Sequence, residues 1–561
     1  MFTDEEKQLL QKYVTSTENN VYAVKGMEGM VGAAYARYSR AKGGFRETLL
    51  KEFIKEGVVD PAHAEQLIER ILIAYGDDSV GELEGAHVSF ENISWVAEKS
   101  VVDHRIGGAF ITQSTRYVLY DQKDEEGRWL YYRGPELIDA AFGKQYLETM
   151  DFCFEVYASL VEPLKSHLEQ QKPIEEAEYD IKGDGVKERL ADLTEERHIK
   201  DFKRTYTFDL RAKACDILRY LLPLSAFANV GVYGNGRFFQ NMISTMLTSS
   251  LPEDQGMAAG AEAALKQIIP VYVRRAKRNE YVARTHAHMH ELVRTLNLPT
   301  EEKVANPAYV LSDFAGIVEL LVVHGRPVRA AIEEARDVQT IAQMIYPYAQ
   351  CSLEHIIEVV LKLDPGTRAL IQKTYIGERV TRRDRPGRAL EEGYPYTFDL
   401  LTDFGVYKDL QRHRMSTQQR QLFTVRHGFL MPEELVALGK QAEVEECIRR
   451  SEVLFETIYE HSPELAQYAV LHGHLVRWTI GLNDRSAMHM FELRSTPQGH
   501  PHYRKAAQAM HNLVIERNAW RGEAMQFVDH NDYYWSRADS EAKQRVKEAK
   551  LDSKTGQNDK S

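Results

Sequence analysis

Two clusters of arginine and histidine in this chain have the chemistry of a site for an anionic ligand. One is Arg412-His413-Arg414, and the other is the related triplet Asp103-His104-Arg105, much nearer the N-terminus. Guanidinium groups bind phosphates and carboxylates through paired hydrogen bonds, and an imidazole adds a further donor or acceptor. The two triplets therefore predict recognition of planar or phosphorylated anions.

Each triplet is followed downstream by an Asn-x-Arg box. The residues that match, at relative positions 0, +2 and +6, are Asn235, Arg237 and Asn241 in the first box and Asn483, Arg485 and His489 in the second. Two copies of one ordered pattern indicate a duplicated domain, and an internal repeat constrains the fold before local detail does. The first copy is about sixty residues longer between triplet and box, and the acidic stretch 121–205 supplies that length.

The elements that must position these residues are predicted to be mostly helical. Residues 47–74 place apolar side chains at three- and four-residue steps, which predicts a helix. Residues 84–104 predict a strand and then a helix that runs into the first triplet, and residues 394–400 predict a strand that leads into a helix carrying the second. On that helix, Arg412 and Arg414 would diverge by about 200°, so that one binds a ligand while the other faces elsewhere.

The stretches around the boxes are predicted to alternate between helices and turns. The acidic residues 121–205 predict a hairpin followed by peripheral helices, and 208–247 predict two helices separated by a glycine-rich turn at 231–236. That turn lacks the glycine spacing of a dinucleotide-binding loop and the lysine of a P-loop, so we expect it to start a helix. Further helices are predicted over 258–275 and 440–530.

The length and the breaks in the pattern predict two domains. The chain is too long for one compact core, and the helical pattern stops around Leu298-Pro299. We therefore predict a first domain over 1–297, which contains the insertion at 121–205, and a second over 298–535, which opens with a helical lead-in at 300–380. The charged tail at 536–561 has no apolar face and is predicted to be disordered.

Composition argues against several classes of protein. The net charge of -12 is unfavourable for general affinity to nucleic acid or to anionic membranes. The four cysteines form no C-x-x-C pair, which fits a reducing compartment and excludes a recognisable zinc ribbon. The sequence shows no signal peptide and no apolar stretch of membrane-spanning length. The expected location is therefore cytoplasmic.

Two histidine-rich stretches raise a metal site as an alternative. His286 and His290 would share one face of a helix, and His500 and His502 flank a proline. No H-E-x-x-H pattern occurs, and no carboxylate ligand is placed in register with these histidines. We therefore expect them at the surface or at an interface, without a metal ion.

Three further motifs accompany the triplets. They are Asp78-Ser79-Val80-Gly81-Glu82, Ser114-Thr115-Arg116-Tyr117 and Arg219-Tyr220-Leu221-Leu222-Pro223-Leu224. With the triplets and boxes, they resemble the flavin-dependent thymidylate synthase family, whose signature is an Arg-His-Arg triplet followed by a serine and then Arg-Tyr. The resemblance covers roughly 70–275 well and 385–510 in part.

This resemblance implies a fold and roles for individual residues. The implied fold class is α+β, with two tandem copies of a domain that has a small mixed sheet and long helices, and with helix-rich insertions. Nucleotide binding and catalysis are implied for Arg116, Arg219 and Arg494, with Ser114 as a further nucleotide contact. Flavin contacts are implied for Ser79, Glu82, His104, Arg105, Asn235, Arg237, Asn241, Arg412, His413, Arg414, Asn483, Arg485 and His489.

The two copies are complementary at two nucleotide-contacting positions of the family. The first copy has Arg219 and Met246 there, whereas the second has Gln467 and Arg494. Each copy thus lacks one arginine that the other keeps, which predicts composite sites shared between the copies. In such a site, the second copy gives Arg412, His413 and Arg414, and the first gives Ser114, Arg116 and Arg219.

The reaction implied by the family is reductive methylation of dUMP at C5. Methylenetetrahydrofolate supplies the carbon, FAD reduced by NADPH supplies the hydride, and no cysteine nucleophile is required. The family forms tetramers with sites between subunits, so a tandem chain implies a homodimer that acts as a pseudo-tetramer.

Two departures from the signature keep an alternative open. Asp103 replaces the leading arginine of the first triplet, and Leu422 stands where the signature serine of the second copy would be. These changes favour a flavin- or nucleotide-binding paralogue that has lost methylation or acts on another pyrimidine nucleotide, whereas the complementary Arg219 and Arg494 favour an active enzyme. A metal-dependent enzyme that uses the histidine runs is a third and weaker possibility.

Overall fold

The computed structural model describes residues 2–27, 30–39, 41–55, 58–59, 81–380, 384, 386–391, 396–535 and 542. Ser79 and, apart from Ala542, the tail after Trp535 lie outside these residues, as does most of the helix predicted over 47–74. The described part of that helix ends at Phe53, where the backbone turns into two short strands.

Helices make up most of the described chain. In chain order they are α1 Asp4–Leu10, α2 Val31–Tyr38, α3 Phe45–Thr48, α4 Trp95–Val102, α5 Pro135–Ile138, α6 Gly143–Gln171, α7 Glu196–Leu218, α8 Gly236–Thr248, α9 Pro252–Leu265, α10 Pro270–Val273, α11 Glu280–Arg294, α12 Phe314–Val323, α13 Val328–Ile345, α14 Leu353–Lys362, α15 Pro365–Ile376, α16 Phe404–Leu410, α17 Glu433–Ala437, α18 Gln441–Tyr459, α19 Pro463–Ala466, α20 Asp484–Arg494, α21 Pro501–Arg517 and α22 Ala519–Glu523. None of the described helices is both long enough and apolar enough to cross a membrane.

The strands form small antiparallel sheets. They are β1 Ile54–Lys55, β2 Val58–Val59, β3 Gly85–Ser94, β4 Gly108–Thr112, β5 Phe227–Asn235, β6 Ala308–Leu311, β7 Tyr396–Asp403, β8 Thr417–Arg420 and β9 Leu475–Leu482. Every pairing between these described strands is antiparallel, so the expectation of mixed sheets was wrong. The α+β class is confirmed.

The chain divides into two compact units. Unit 1 comprises residues 1–113 and 227–283, and unit 2 comprises residues 114–226 and 284–561. The insertion between the first triplet and the first box therefore packs with the C-terminal half of the chain. The domain boundary at 297/298 was predicted from the sequence repeat, whereas these two units are defined by their compactness. The boundary between the repeats therefore stays a prediction.

Unit 1 is built on a sheet with the strand order β3-β5-β4. Val230 and Val232 of β5 are buried in the hydrophobic core of the unit, together with Phe238 and Met242 of α8. The glycine-rich stretch 231–236, expected as a turn, is instead the end of β5 and the first residue of α8. Glycine is needed there because a Cβ at position 234 would overlap the ring of Phe238.

Unit 2 has a four-stranded sheet with the order β6-β7-β9-β8. Its two central strands, β7 and β9, are buried along their whole length, which means that both faces of the sheet are covered. The stretch 440–530 was expected to be entirely helical, but β9 runs through it. Short apolar runs such as this one do not distinguish a buried strand from a helix by periodicity.

The same succession of elements occurs in each unit. In unit 1, β3 leads through α4 to β4, and β5 leads into α8; in unit 2, β7 leads through α16 to β8, and β9 leads into α20. The strand before the Asn-x-Arg box is flanked by the other two strands of this succession in each sheet: β5 lies between β3 and β4, and β9 lies between β7 and β8. The triplet and the box of one copy are therefore positioned by the same kinds of element as those of the other copy.

The insertion is not peripheral, contrary to the prediction. Its long helix α6 buries one side chain after another along a single face, among them Phe154, Tyr157 and Leu164. This face packs against α7 and α18 inside unit 2. Charged residues on the opposite face gave the stretch its acidic composition and concealed the apolar stripe.

Two equivalent segments of the repeat pair with each other in unit 2. Counting back from the asparagine of each box, Pro223 corresponds to Leu471, and these two residues form an antiparallel bridge. The Leu224 amide donates to the Val470 carbonyl at 2.7 Å, and the His472 amide donates to the Leu222 carbonyl at 2.9 Å. Antiparallel pairing of equivalent segments is the local arrangement of a two-fold axis.

Candidate functional site

The second triplet lies in a turn and not on a helix, which corrects the prediction. Helix α16 ends at Leu410, and the His413 amide donates to the Leu410 carbonyl at 3.1 Å as the chain turns away. Arg412 and Arg414 are exposed, and Met415 beside them is 82% exposed. Cationic side chains are favourable at this position because the carbonyl end of a helix carries partial negative charge.

This turn runs along helix α20. Ser486 Oγ donates to the Met415 carbonyl at 3.3 Å, and the rings of His413 and His489 lie 5.8 Å apart. Arg494 Nε donates to His413 Nε2 at 2.8 Å. The triplet of the second copy and the helix that follows its Asn-x-Arg box therefore form one continuous basic surface.

His413 is held as a neutral hydrogen-bond acceptor. Burial lowers its pKa to about 3, and the positive charge of Arg494 contributes in the same direction. A neutral imidazole accepts at one nitrogen, which matches the hydrogen bond that Arg494 donates. His413 thus orients the Arg494 guanidinium without adding charge to the surface.

Arg116 is fixed by a buried carboxylate. Its Nε and Nη2 both donate to Asp216, each at 2.6 Å, in a bidentate pair. Burial by itself would lower the pKa of Arg116, but the negative charge of Asp216 raises it above its ordinary value. The neighbouring Ser114 is half-buried, and its Oγ accepts the Arg116 amide at 3.3 Å.

Arg219 lies buried against the start of α16. Its Nη2 is 3.6 Å from Oδ1 of Asp403, the residue that caps this helix. Gly405 lies two residues after Asp403, and a Cβ at Gly405 would overlap the Arg219 guanidinium. The first copy therefore supplies the arginine, and the second copy supplies the carboxylate and the space that hold it.

A tyrosine and two histidines surround Arg219. Tyr220 hydrogen-bonds to Nδ1 of His502, and that nitrogen lies 3.3 Å from Oδ2 of Asp403. Burial would raise the pKa of Asp403, but His502 and Arg219 hold it below its ordinary value, so the group is a carboxylate. Burial and the positive charges of Arg219 and Arg116 hold the pKa of His500 well below its ordinary value, so that His500 is neutral.

Tyr503 connects the two groups of arginines. The Arg494 guanidinium lies 5.6 Å from the centre of its ring. Burial raises the pKa of Tyr503, whereas Arg116 and Arg494 oppose that rise, because both cations are near its hydroxyl. Unit 2 thus brings together the implied nucleotide-binding residues Arg116, Arg219 and Arg494, although they come from different copies.

The histidines at 500 and 502 were not expected here. They were assigned to the surface or to an interface, but His500 is buried and His502 is partly buried inside this cluster. His500 caps helix α21, where its Nδ1 accepts the His502 amide at 3.2 Å. The sequence signal for this helix start is a capping residue followed by proline at the first helical position. Tyr220 belongs to the motif at 219–224 but had no role assigned, and no sequence pattern pointed to Asp403.

The implied flavin-binding residues of the first copy lie in unit 1. His104 Nδ1 is 2.9 Å from the Ser100 carbonyl, and Arg237 forms an ion pair with Glu82 at the start of α8. Arg105 is partly buried, and Asn241 is exposed. Ser79 lies outside the described residues.

The asparagines of both boxes cap helices. Asn235 Oδ1 accepts the Phe238 amide at 2.8 Å at the start of α8, and Asn483 Oδ1 accepts the Ser486 amide at 2.9 Å at the start of α20. Asparagine is among the preferred residues at this position because its side chain satisfies an otherwise unpaired amide. The asparagines therefore have a structural role in both copies, and their contact with a cofactor stays a prediction.

The basic surface of unit 2 fits the phosphates of FAD in its chemistry. Arg412, Arg414 and Arg485 are exposed guanidiniums, and Arg485 is the second residue of α20, the helix along which the triplet turn runs. Guanidiniums pair well with the oxygens of a diphosphate. The part of the chain that the structure describes contains no group of three or more histidine, cysteine or acidic side chains arranged to hold a metal ion.

Comparison with known proteins agrees with the repeat. The model of the family described as thymidylate synthase complementing protein matches residues 25–271 and 333–517, in two separate segments. A UPF0159 protein of Chlamydia pneumoniae is 33% identical over 96% of this chain and 97% of its own length. Those of Chlamydia muridarum and Thermoplasma acidophilum are 32% and 28% identical, over 97% and 92% of this chain and 99% and 98% of their own lengths. The chain therefore belongs to the flavin-dependent thymidylate synthase complementing protein family.

Proposed function

We propose that this protein carries out the flavin-dependent reductive methylation of dUMP to dTMP, with methylenetetrahydrofolate and NADPH as co-substrates. The observation that supports it is the gathering of Arg116 and Arg219 from the first copy with Arg494 and His413 from the second inside unit 2. The sequence places these residues far apart. Their convergence gives a nucleotide site to which each copy contributes.

The arginines of this cluster bind and orient the nucleotide. Because Asp216 and Asp403 hold Arg116 and Arg219 in place, these guanidiniums are oriented before the ligand arrives. Arg494, oriented by neutral His413, directs its remaining donors towards an anion. Positive charge fixed near the uracil ring stabilises the negative charge that develops there during methylation.

FAD is proposed to bind at the basic surface that carries Arg412, Arg414, Arg485 and His489. When bound, the flavin supplies the hydride that NADPH has delivered to it. The protein residues provide charge for the phosphates and a fixed position beside the nucleotide. The proposal includes the assembly of two chains into a homodimer that acts as a pseudo-tetramer.

Purified protein tests the proposal directly. We expect a yellow protein whose NADPH oxidation accelerates on addition of dUMP and whose product, with methylenetetrahydrofolate present, is dTMP by mass spectrometry. A colourless protein that cannot be reconstituted with FAD contradicts the flavin assignment. Light scattering that shows only a monomer at micromolar concentration contradicts the dimer.

Replacing Arg414 tests FAD binding at the basic surface of unit 2. Arg414→Ala is expected to lower bound FAD by roughly 10-fold or more, since it removes a cation from a diphosphate site, while the far-ultraviolet circular dichroism stays unchanged. The matched control is Arg449→Ala, an exposed arginine on α18 in the same unit. Full FAD occupancy in Arg414→Ala would show that the phosphates bind elsewhere.

The second candidate is a flavin- and nucleotide-binding paralogue without methylation activity, or with activity on another pyrimidine nucleotide. Asp103 and Leu422 at signature positions favour it. Bound flavin and dUMP binding without dTMP formation would support this function over the first.

A further inference from the structure

The repeat allows every nucleotide-site residue of one copy to be compared with its equivalent in the other. In the two sheets, Ala109 pairs with Tyr233 and Thr417 pairs with Gly481. Tyr233 and Gly481 each lie two residues before the asparagine of their box, so the strands are in the same register. Counting forward from these pairs, the equivalent of Arg116 is Thr424.

The equivalents of the other two arginines are also uncharged. Counting from the box asparagines, Arg219 corresponds to Gln467 and Arg494 to Met246. Met246 is part of the hydrophobic core of unit 1. Gln467 accepts the Phe423 amide at 3.1 Å, so its side chain is engaged in supporting the backbone of unit 2.

The space that holds Arg219 is also absent from the other copy. Gly405 follows the capping residue Asp403 by two positions, and the residue two positions after the corresponding cap, Ser94, is Val96. Val96 is fully buried. A branched side chain stands where the glycine admits a guanidinium, so the loss of the arginine and the loss of its space occur together.

The charged groups near the two caps also differ. Helices α9 and α21 both have proline at their first position, so Pro252 corresponds to Pro501 and Glu253 to His502, and both Glu253 and Asp254 are buried. Glu253 accepts the Ser94 amide at 2.7 Å and the Ser94 hydroxyl at 2.6 Å. Asp254 accepts Ser249 Oγ at 2.7 Å. Unit 1 therefore carries a carboxylate, Glu253, where unit 2 carries His502, and each of these side chains contacts the capping residue of its unit, Ser94 or Asp403.

Buried negative charge repels a phosphate strongly, because the low dielectric of the interior screens charges weakly. A site for a nucleotide monophosphate needs the opposite sign. Unit 2 has three arginines against the two buried carboxylates Asp216 and Asp403. Unit 1 has Met246 in place of the arginine that it would contribute, together with the buried carboxylates of Glu253 and Asp254.

We infer that each chain has one nucleotide site, formed in unit 2, and that the three equivalent positions, Thr424, Gln467 and Met246, no longer bind a nucleotide phosphate. This inference rests on the proposed function, since it assumes that the arginine cluster binds dUMP. It deepens that function by setting the number of sites: one for each pair of repeats.

Calorimetric titration of the full-length, FAD-loaded protein with dUMP measures this number. The expected stoichiometry is one dUMP per chain. Two dUMP per chain, with or without equal affinity, would overturn the inference while leaving the proposed function intact. Absence of dUMP binding by protein that does hold FAD would overturn both the proposed function and the inference.

Variants show which positions make the single site. Arg494→Met, which introduces the residue type of the first copy at a partly exposed position, is expected to weaken dUMP binding by roughly 10- to 100-fold, the usual effect of losing a hydrogen bond to a charged group. Arg219→Gln is expected to do the same. Arg449→Gln, an exposed arginine on α18, serves as the control and leaves binding unchanged.

Because Arg219 is buried, folding of each variant is checked by its thermal unfolding and by retained FAD. Arg494 is less buried, so its variant keeps the test valid if Arg219→Gln does not fold. One dUMP per chain bound with unchanged affinity by Arg494→Met would place the site elsewhere and contradict the inference.

Discussion

The arginines of the candidate site are held by partners that the sequence pattern did not reveal. The family resemblance implied nucleotide contacts for Arg116, Arg219 and Arg494 and a flavin contact for His413. Their partners, Asp216 and Asp403, lie in stretches without a motif. A buried carboxylate that orients an arginine has no periodic signal, because its position depends on tertiary packing rather than on local spacing.

The buried histidines of unit 2 make stability depend on pH. Burial lowers the pKa of His474 to about 3, and its Nδ1 accepts the Leu471 amide at 3.0 Å, which requires this nitrogen to be unprotonated. An imidazole in an unfolded chain titrates near 6.5. Between these values the unfolded chain binds more protons than the folded chain, so stability is full above about pH 6.5 and is lost as the pH falls towards 3.

We therefore expect the free energy of unfolding in urea to decrease from pH 7.5 to pH 5.5, and His474→Gln to reduce this decrease. Glutamine retains an acceptor for the Leu471 amide but does not titrate. His324→Gln, at an exposed position, is the control and keeps the wild-type slope. An identical slope in His474→Gln and wild type would show that His474 is not the titrating group.

At the scale of elements, the strands and helix starts were more predictable than the helix ends. The strand predicted at the start of 84–104 is confirmed as β3, and the described part of the strand predicted over 394–400, residues 396–400, lies within β7. The second triplet was placed on a helix because nothing in the sequence after Leu410 breaks one. The predicted helix at 258–275 is instead α9 and α10, since Pro270 starts a new helix.

Gly405 of helix α16 leaves room for the Arg219 guanidinium because glycine has no side chain. A Cβ at Gly405 would overlap the Arg219 guanidinium, so Gly405→Ala should displace it from Asp403. We expect turnover with dUMP to fall by about 10- to 100-fold, the effect of misplacing a binding group by about 1 Å. Steady-state NADPH oxidation with dUMP measures this change.

The comparison for this variant is Gly256→Ala on α9, where a Cβ meets no neighbouring atom. That substitution should leave turnover unchanged and favour the helix slightly. Wild-type kinetics in Gly405→Ala would mean that Arg219 does not need its present position.

At the scale of the whole molecule, the sequence repeat and the compact units follow different divisions. The pattern of triplets and boxes predicted two domains in succession, yet residues 114–226 belong to the same compact unit as 284–561. A repeat in sequence reports which residues are equivalent, whereas compactness depends on which faces pack together. The second cannot be deduced from the first.

The packing of the insertion predicts the behaviour of a fragment. Residues 298–535 alone lack α6 and the segment 220–224, so α18 loses the helix that covers it and 470–473 loses its pairing partner. We expect this fragment to aggregate or to unfold without a cooperative transition, measured by gel filtration and thermal circular dichroism. A fragment with a sharp transition close to that of the full chain would contradict this expectation.

The bridge between Pro223 and Leu471 bears on how such a chain is able to change. In a symmetric dimer, every substitution at the axis enters twice, once on each side, and both sides must tolerate it. When the two sides belong to one polypeptide, each can be altered alone. Arg219 and Gln467 stand at equivalent places beside this axis, one cationic and one neutral. Covalent fusion is what permits that difference to be inherited.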